Sequence, residues 1–237
     1  MPRFTPDHLR TVGRAMFEAA GCSAPDASIV ADHLVESSLF GHDSHGTLRM
    51  YEYVDQIAAG TFSPTGRPRV ERQRGVTACI DGDRALGQVA GKLAVDTGID
   101  LAHTHGVSVI TVRNCSHLGR IGAYPLAVAR QGLIGQAFVN AGRLGRQIPP
   151  YGGIDGRIST NPIAFAAPRS SGDPILVDMT TSVVAEGKIR VAHNRGEDVP
   201  AGWITDPEGQ PTQDPRQFLD PPGGAILPLG GPVAYKG

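Results

Sequence analysis

Apolar residues recur at helical spacing through the first sixty positions, and in short β-branched runs after about residue 69. Thr5-Pro6-Asp7 reads as an N-cap with proline at the first helical position. Leu9, Val12, Met16 and Phe17 follow on one stripe, and Gly21 suits the C-terminal end. Pro25-Asp26 opens a second helix that carries Ile29, Val30, His33, Leu34 and Leu39 and stops at Gly41. A third helix is predicted to start between Ser44 and Thr47 and to run to Gly60, with Leu48, Tyr51, Val54 and Ile57 apolar.

Beyond residue 69 strands and helices alternate. Val76–Ile80 reads as a strand ended by Asp81-Gly82, and Leu86–His105 as a long helix with Val89, Leu93, Ile99 and Leu101 on its apolar side. Val107–Val112 is strongly β-branched and predicts a strand. A helix over Ile121–Arg130, strands over Leu133–Val139 and Ile175–Asp178, and a helix over Val183–Val191 follow. The tail from Pro200 is rich in Pro, Gly and Asp and reads as surface loop. The alternation predicts an α/β body behind a helical N-terminal segment.

At 237 residues there is room for one large domain or two modest ones. A formal net charge of -1 offers no broad basic footprint for nucleic acid. No apolar run is long enough to span a bilayer. The first residues lack the apolar core of a secretion signal, and Cys22, Cys79 and Cys115 form neither a disulfide framework nor a zinc spacing. A cytoplasmic protein with reduced thiols is expected. The 31 glycines and 19 prolines predict many tight turns, while 40% hydrophobic residues are enough for a core.

Three stretches carry candidate chemistry. On a helix, His45, Arg49 and Tyr53 would share one face, giving a proton shuttle, a carboxylate clamp and a phenol suited to a small 2-hydroxy or 2-oxo acid. The same spacing also describes the polar face of an ordinary amphipathic helix. Arg113-Asn-Cys-Ser-His-Leu-Gly119 sits where a predicted strand ends, a favoured ligand position, although a loop histidine bonded to a carbonyl fits His117 equally well. Ser159-Thr-Asn-Pro-Ile-Ala-Phe-Ala-Ala-Pro168 and Asp178-Met-Thr-Thr-Ser182 place hydroxyls and a carboxylate before a helix, for capping or for binding ribose and phosphate oxygens. Gly152-Gly153 and Gly230-Gly231 add points of close backbone approach. No Gly-x-Gly-x-x-Gly follows a strand, Gly82-Asp-Arg-Ala-Leu-Gly87 lacks the Walker lysine, and the histidine pairs have no metal-ligand company. No metal is expected.

These motifs, in this order, resemble the type 2 malate/L-lactate dehydrogenase family, whose relatives include sulfolactate and ureidoglycolate dehydrogenases and cyclic imino acid reductases. The resemblance rests on Asp43-Ser-His-Gly-Thr-Leu-Arg49 with Tyr53, Arg113–Gly119, Thr160-Asn-Pro-Ile-Ala-Phe165 and Asp178–Lys188. Gly202–Gly209, Thr212-Gln-Asp-Pro215 and Leu227-Pro-Leu-Gly-Gly231 extend it over nearly the whole chain. It implies a non-Rossmann α/β domain with a largely antiparallel sheet flanked by helices, binding NAD or NADP, in a homodimer. The segments implied are 1–68 for substrate and dimerisation, 69–220 for cofactor, and 221–237 as the shortened start of a C-terminal region.

By the same resemblance His117, His45 and Arg49 are catalytic, with His117 as acid–base, its pKa near the operating pH. Arg49, Tyr53 and Asn114 bind the substrate. Ser44, His45, Asn140, Thr160, Asn161, Asp178, Met179, Thr180, Ser182 and Lys188 line the cofactor. The implied reaction is hydride transfer between NAD(P) and C2 of a 2-hydroxy acid, without nucleic-acid or membrane partners. Reduction of a cyclic 2-imino acid, an inactive remnant that only binds ligand, and a metal-dependent hydrolase are the alternatives. Ser116, Leu118 and Tyr151 depart mildly from the family pattern. The larger departure is the stop at Gly237, after Pro232-Val-Ala-Tyr-Lys, where the family continues, so a truncated chain is expected.

Overall fold

The computed structural model describes residues 3–140, 145 and 147–230. Chain packing forms two compact units, Met1–Gly135 with Phe165–Leu176, and Gln136–Ala164 with Val177–Gly237. The roles expected of segments 1–68, 69–220 and 221–237 are functional assignments, and Gly231–Gly237 lie outside the described residues.

In the first unit α1 (Pro6–Ala19) and α2 (Ala24–Leu39) start at their predicted caps. The Thr5 hydroxyl accepts the His8 N–H, and the Ser23 hydroxyl accepts that of Asp26. Phe17, Val30, Leu34, Val35, Met50, Tyr53 and Leu86 form the core between these helices and α3 (Arg49–Ala58). The third helix therefore begins later than the periodicity predicts. A 3-10 turn over Asp43–His45 precedes it, and Gly46 is extended behind that turn. The cause is tertiary, because the Ser38 hydroxyl accepts the Thr47 N–H at 3.0 Å and pins the chain to α2.

β1 (Arg69–Arg74) and β2 (Thr77–Asp81) pair antiparallel, with a bulge near Glu71. After α4 (Gly87–His105), β3 (Val109–Arg113) pairs parallel to β2. Sequence periodicity passes over β1 because its six residues are all exposed. α5 (Ala123–Ala129) completes this part. β4 (Gly135–Phe138), β5 (Ile163–Ala167) and β6 (Ile175–Met179) form a second sheet in that order, and the division between the units falls within them.

In the second unit α6 spans Glu186–Arg195, three residues later than the predicted Val183 start. Ser182 is bridged to Pro228, and the Val183 N–H donates to the Leu227 carbonyl, so the chain stays extended there. The tail corrects the surface-loop reading. β7 (Ile204–Thr205) pairs with both β8 (Pro211–Thr212) and β9 (Ala225–Ile226), and α7 (Arg216–Leu219) lies between β8 and β9. Ile204, Ile226 and Phe218 are buried with Val184 and Ile189. Strands of two residues leave no periodic trace. The α/β class holds, and among the described residues the strands divide among three small sheets. Among the described residues no helix is long and apolar enough to cross a membrane.

One close approach positions the site. The loop after β3 lies on the start of α4, where a Cβ on Gly82 would lie 2.6 Å from the Cβ of Cys115, and one on Gly87 would lie 2.6 Å from the Ser116 carbonyl oxygen. Neither position has room for a side chain. Gly87→Ala is expected to cost about 1–3 kcal/mol through overpacking against backbone. Urea denaturation checks this, and an undiminished midpoint would show that the loop yields freely.

Candidate active site

The first unit gathers residues from four separate stretches. His45 arrives on the 3-10 turn, Arg49 and Tyr53 on the first turns of α3, His117 on the loop after β3, and Gln88 on the first turn of α4. The His45 and His117 rings are 5.3 Å apart between centroids, and the Tyr53 and His117 rings 6.0 Å. Tyr53 Oη lies 2.6 Å from His117 Nδ1. The predicted helical stripe is thus broken at His45, yet its three side chains still converge with His117.

Each is held by further contacts. Ser44 Oγ is 3.0 Å from His45 Nδ1, and Arg49 Nε donates to the Ser44 carbonyl at 2.7 Å. Arg49 Nη1 also pairs with Glu52. Tyr53 is fully buried, and Gln88 Nε2 donates to its Oη at 3.1 Å and to the His117 carbonyl at 3.3 Å. The Gly87 N–H donates to Ser116 Oγ at 2.7 Å, fixing the residue before His117. On the other side of the loop His33 Nε2 accepts the Arg120 N–H at 3.0 Å. Asn114 has φ 55, and one of its two Nδ2 protons is donated to Asp81 Oδ1 at 2.9 Å, which fixes its amide at the β-sheet rim.

The electrostatics favour neutral imidazoles. Burial, then the charges of Arg49 and His42, push His45 down to about 4. Burial, then Arg120 and His45, take His33 to about 4 as well. His117 moves the same way, through burial and then His45, Arg49 and His33. Part of its surface meets solvent, which tempers the shift without reversing it. The expectation of a pKa near the operating pH is therefore not met, chiefly because burial disfavours the charged ring. Burial raises the Tyr53 phenol, which stays protonated.

The second unit holds the other predicted group. The Thr160 carbonyl accepts Thr180 Oγ1 at 2.8 Å, Thr181 Oγ1 at 3.1 Å and the Thr181 N–H at 3.0 Å. Asn161, at φ 29, has its carbonyl bonded by Thr181 Oγ1 at 3.1 Å and its Oδ1 by the Ser159 hydroxyl. Ser182 is buried and its hydroxyl donates to the Val184 carbonyl at 2.6 Å. Asn161, Thr181 and Ser159 face a small cavity shared with Tyr151 and Pro228. Asp178 and Met179 end β6, Asn140 lies exposed after β4, and Lys188 is exposed on the first turn of α6. Among the described residues no cluster of three or more His, Cys, Asp or Glu could hold a metal.

Residues 4–237 match the model of the malate/L-lactate dehydrogenase family. The chain belongs to this family. It is 38% identical to a malate dehydrogenase of Pyrococcus abyssi, over 97% of this chain and 62% of that protein. It is 36% identical to hydroxycarboxylate dehydrogenase B of Escherichia coli K12, over 95% and 62% respectively. The solved Δ1-piperideine-2-carboxylate reductase of Pseudomonas syringae pv. tomato superposes with a TM-score of 0.91 at 32% identity, over 99% of this chain and 69% of that one. The chain thus spans about 62% of the length of the two sequence relatives.

Sequence reasoning missed Gln88, Ser116 and His33 as parts of the site. Gln88 left one signal, a lone polar residue within Ala85-Leu86-Gly87-Gln88-Val89-Ala90. His33 lies among apolar residues of α2 and reads as core.

A linkage test follows from the neutral imidazoles. In the unfolded chain His33 and His45 bind protons near 6.5, and in the folded chain only near 4, so between these values the unfolded state holds more protons. Their contribution to stability is present above 6.5 and is lost as pH falls toward 4. Unfolding free energies measured across this window are expected to fall less steeply for His45→Gln than for the parent. Equal slopes would show His45 already charged in the fold.

Proposed function

We propose that this chain belongs to an oxidoreductase that moves a hydride between NAD or NADP and C2 of a small 2-hydroxy or 2-oxo acid. The convergence of His45, Arg49, Tyr53 and His117 carries the reading, since it unites an acid–base pair with a cation suited to a carboxylate. A homodimer and a cytoplasmic location belong to the same proposal, as does the expected division of labour between residues 1–68 and 69–220.

Arg49 spends Nε on Ser44 and Nη1 on Glu52, which leaves its Nη2 edge to grip a substrate carboxylate. His117 takes the C2 hydroxyl proton on oxidation and returns it on reduction, while His45 flanks the same carbon. Tyr53 supports His117 through Nδ1. Asn114 helps orient the substrate, one of its two amide N–H groups being held by Asp81.

The nicotinamide cofactor, when bound, supplies the hydride donor or acceptor. The donor set of the second unit fits it, with the Asn161 carboxamide, the threonine and serine oxygens and the exposed Lys188 ammonium suiting amide, ribose and phosphate groups. Thr160, Thr180 and Ser182 spend their hydrogen bonds on shaping this bend. Asn140, Asp178 and Met179 complete the proposed lining in this unit, and Ser44 and His45 are cofactor-contacting residues of the first unit on the same proposal.

The same residues serve a second reading, reduction of a cyclic 2-imino acid, which the similarity to the piperideine-carboxylate reductase favours. Initial rates with malate, lactate, sulfolactate, ureidoglycolate and a cyclic imino acid, against both cofactors, on this chain and on one extended to the length of its relatives, separate the two.

His117→Ala is expected to lower kcat by about 10²–10⁴-fold, the span of general acid–base catalysis, with an unchanged fold by circular dichroism. Arg49→Ala is expected to abolish turnover likewise, and parental rates in either variant would sink the assignment. A carboxylate arriving at Arg49 offsets its charge and lifts both imidazoles. The acid limb of kcat for oxidation should therefore lie at higher pH than that of kcat/KM, and coincident limbs would show no such coupling.

A further inference from the structure

Gln88 is fully enclosed at the start of α4, and its two ends are treated differently by their surroundings. Nε2 lies 3.1 Å from Tyr53 Oη and 3.3 Å from the His117 carbonyl oxygen, while Oε1 is buried without a hydrogen-bond partner. The His117 carbonyl can only accept, so the atom facing it must be the amide nitrogen. Turned over, the amide would set two carbonyl oxygens against each other and bury an N–H without an acceptor, the costlier of the two deficits.

The direction of the next bond follows. Tyr53 Oη receives an N–H from Gln88, so its own proton is free to go to His117 Nδ1, 2.6 Å away. With Nδ1 accepting, a neutral imidazole carries its proton on Nε2. We propose that Gln88 is a positioning residue that acts through Tyr53 to decide which nitrogen of His117 bears the proton. This rests on the reading of His117 as the acid–base group.

The lock has a chemical consequence. With its proton on Nε2, His117 presents a hydrogen-bond donor that orients the carbonyl oxygen of a 2-oxo acid, while delivery of a proton to that oxygen requires the doubly protonated ring. To accept the hydroxyl proton of a 2-hydroxy acid at Nε2, the ring must hold its proton on Nδ1 instead. Tyr53 must then turn its O–H elsewhere, and the unpartnered Oε1 of Gln88 receives it if the amide rotates. The arrangement opposes protonation at Nδ1 and so acts in the same direction as the charged and titratable groups facing His117. These are His45 from the 3-10 turn, Arg49 from α3 and His33 from α2, whereas Glu52, paired to Arg49, acts against them and the Tyr53 phenol is neutral.

The test is imidazole ¹⁵N NMR on the histidine-labelled chain, with His117 assigned by its loss in His117→Ala. The parent is expected to show the Nε2–H tautomer at neutral pH. Gln88→Glu places an acceptor opposite Tyr53, which then accepts from Nδ1–H. The His117 titration should move up by about one pH unit, the worth of one hydrogen bond, and Gln88→Leu should give a smaller rise. An Nδ1–H tautomer in the parent, or a titration unmoved by Gln88→Glu, overturns the inference. If neither variant folds, the parent spectrum decides alone. Rates separate this from the functional reading, because an active His117→Ala would end that reading and leave the tautomer result standing.

Discussion

The seating of the loop after β3 on the N-terminus of α4 is the constraint on which the site depends. Gly82 and Gly87 allow backbone to lie where side chains would stand, and the Ser116 hydroxyl then satisfies an N–H that the helix start leaves open. Because Gln88 follows Gly87, the same contact that seats the loop brings an amide within reach of His117 and Tyr53. Tyr53 in turn is wholly buried in the core that joins α1, α2 and α3. His117 is therefore tied to the main hydrophobic cluster through hydrogen bonds to Tyr53 and Gln88 rather than left on a free loop.

Charge sets the second constraint. Arg49 stands beside imidazoles that burial has already driven toward neutrality, and Glu52 neutralises only part of its field. On the proposed function a small carboxylate would offset the rest, so that its binding and imidazole protonation would favour each other. On that proposal the same histidine would serve as a neutral base and a charged acid in one site.

What the sequence revealed was local, and what it hid was not. The cap of α1 was legible because Thr5 and His8 are one turn apart. The break before α3 was not, since it depends on a Ser38 hydroxyl nine residues from the amide it holds. β1 carries no buried face, and β7 to β9 are too short for a period, so periodicity had nothing to register. The histidines, Arg49 and Tyr53 were found as chemistry-bearing residues and through family resemblance. Gln88 escaped because its partners lie 35 and 29 residues away, and an isolated glutamine has no motif.

The strand that sequence patterning passed over has a further consequence. β1 forms one edge of the β1-β2-β3 sheet and reads Arg-Val-Glu-Arg-Gln-Arg, exposed along its whole length. An edge presents unpaired backbone groups to any other strand in solution, and one studded with arginines resists a second copy by repulsion while its bulge spoils the register. The residues that make β1 invisible as a strand are thus the ones that guard this rim against self-association into aggregates.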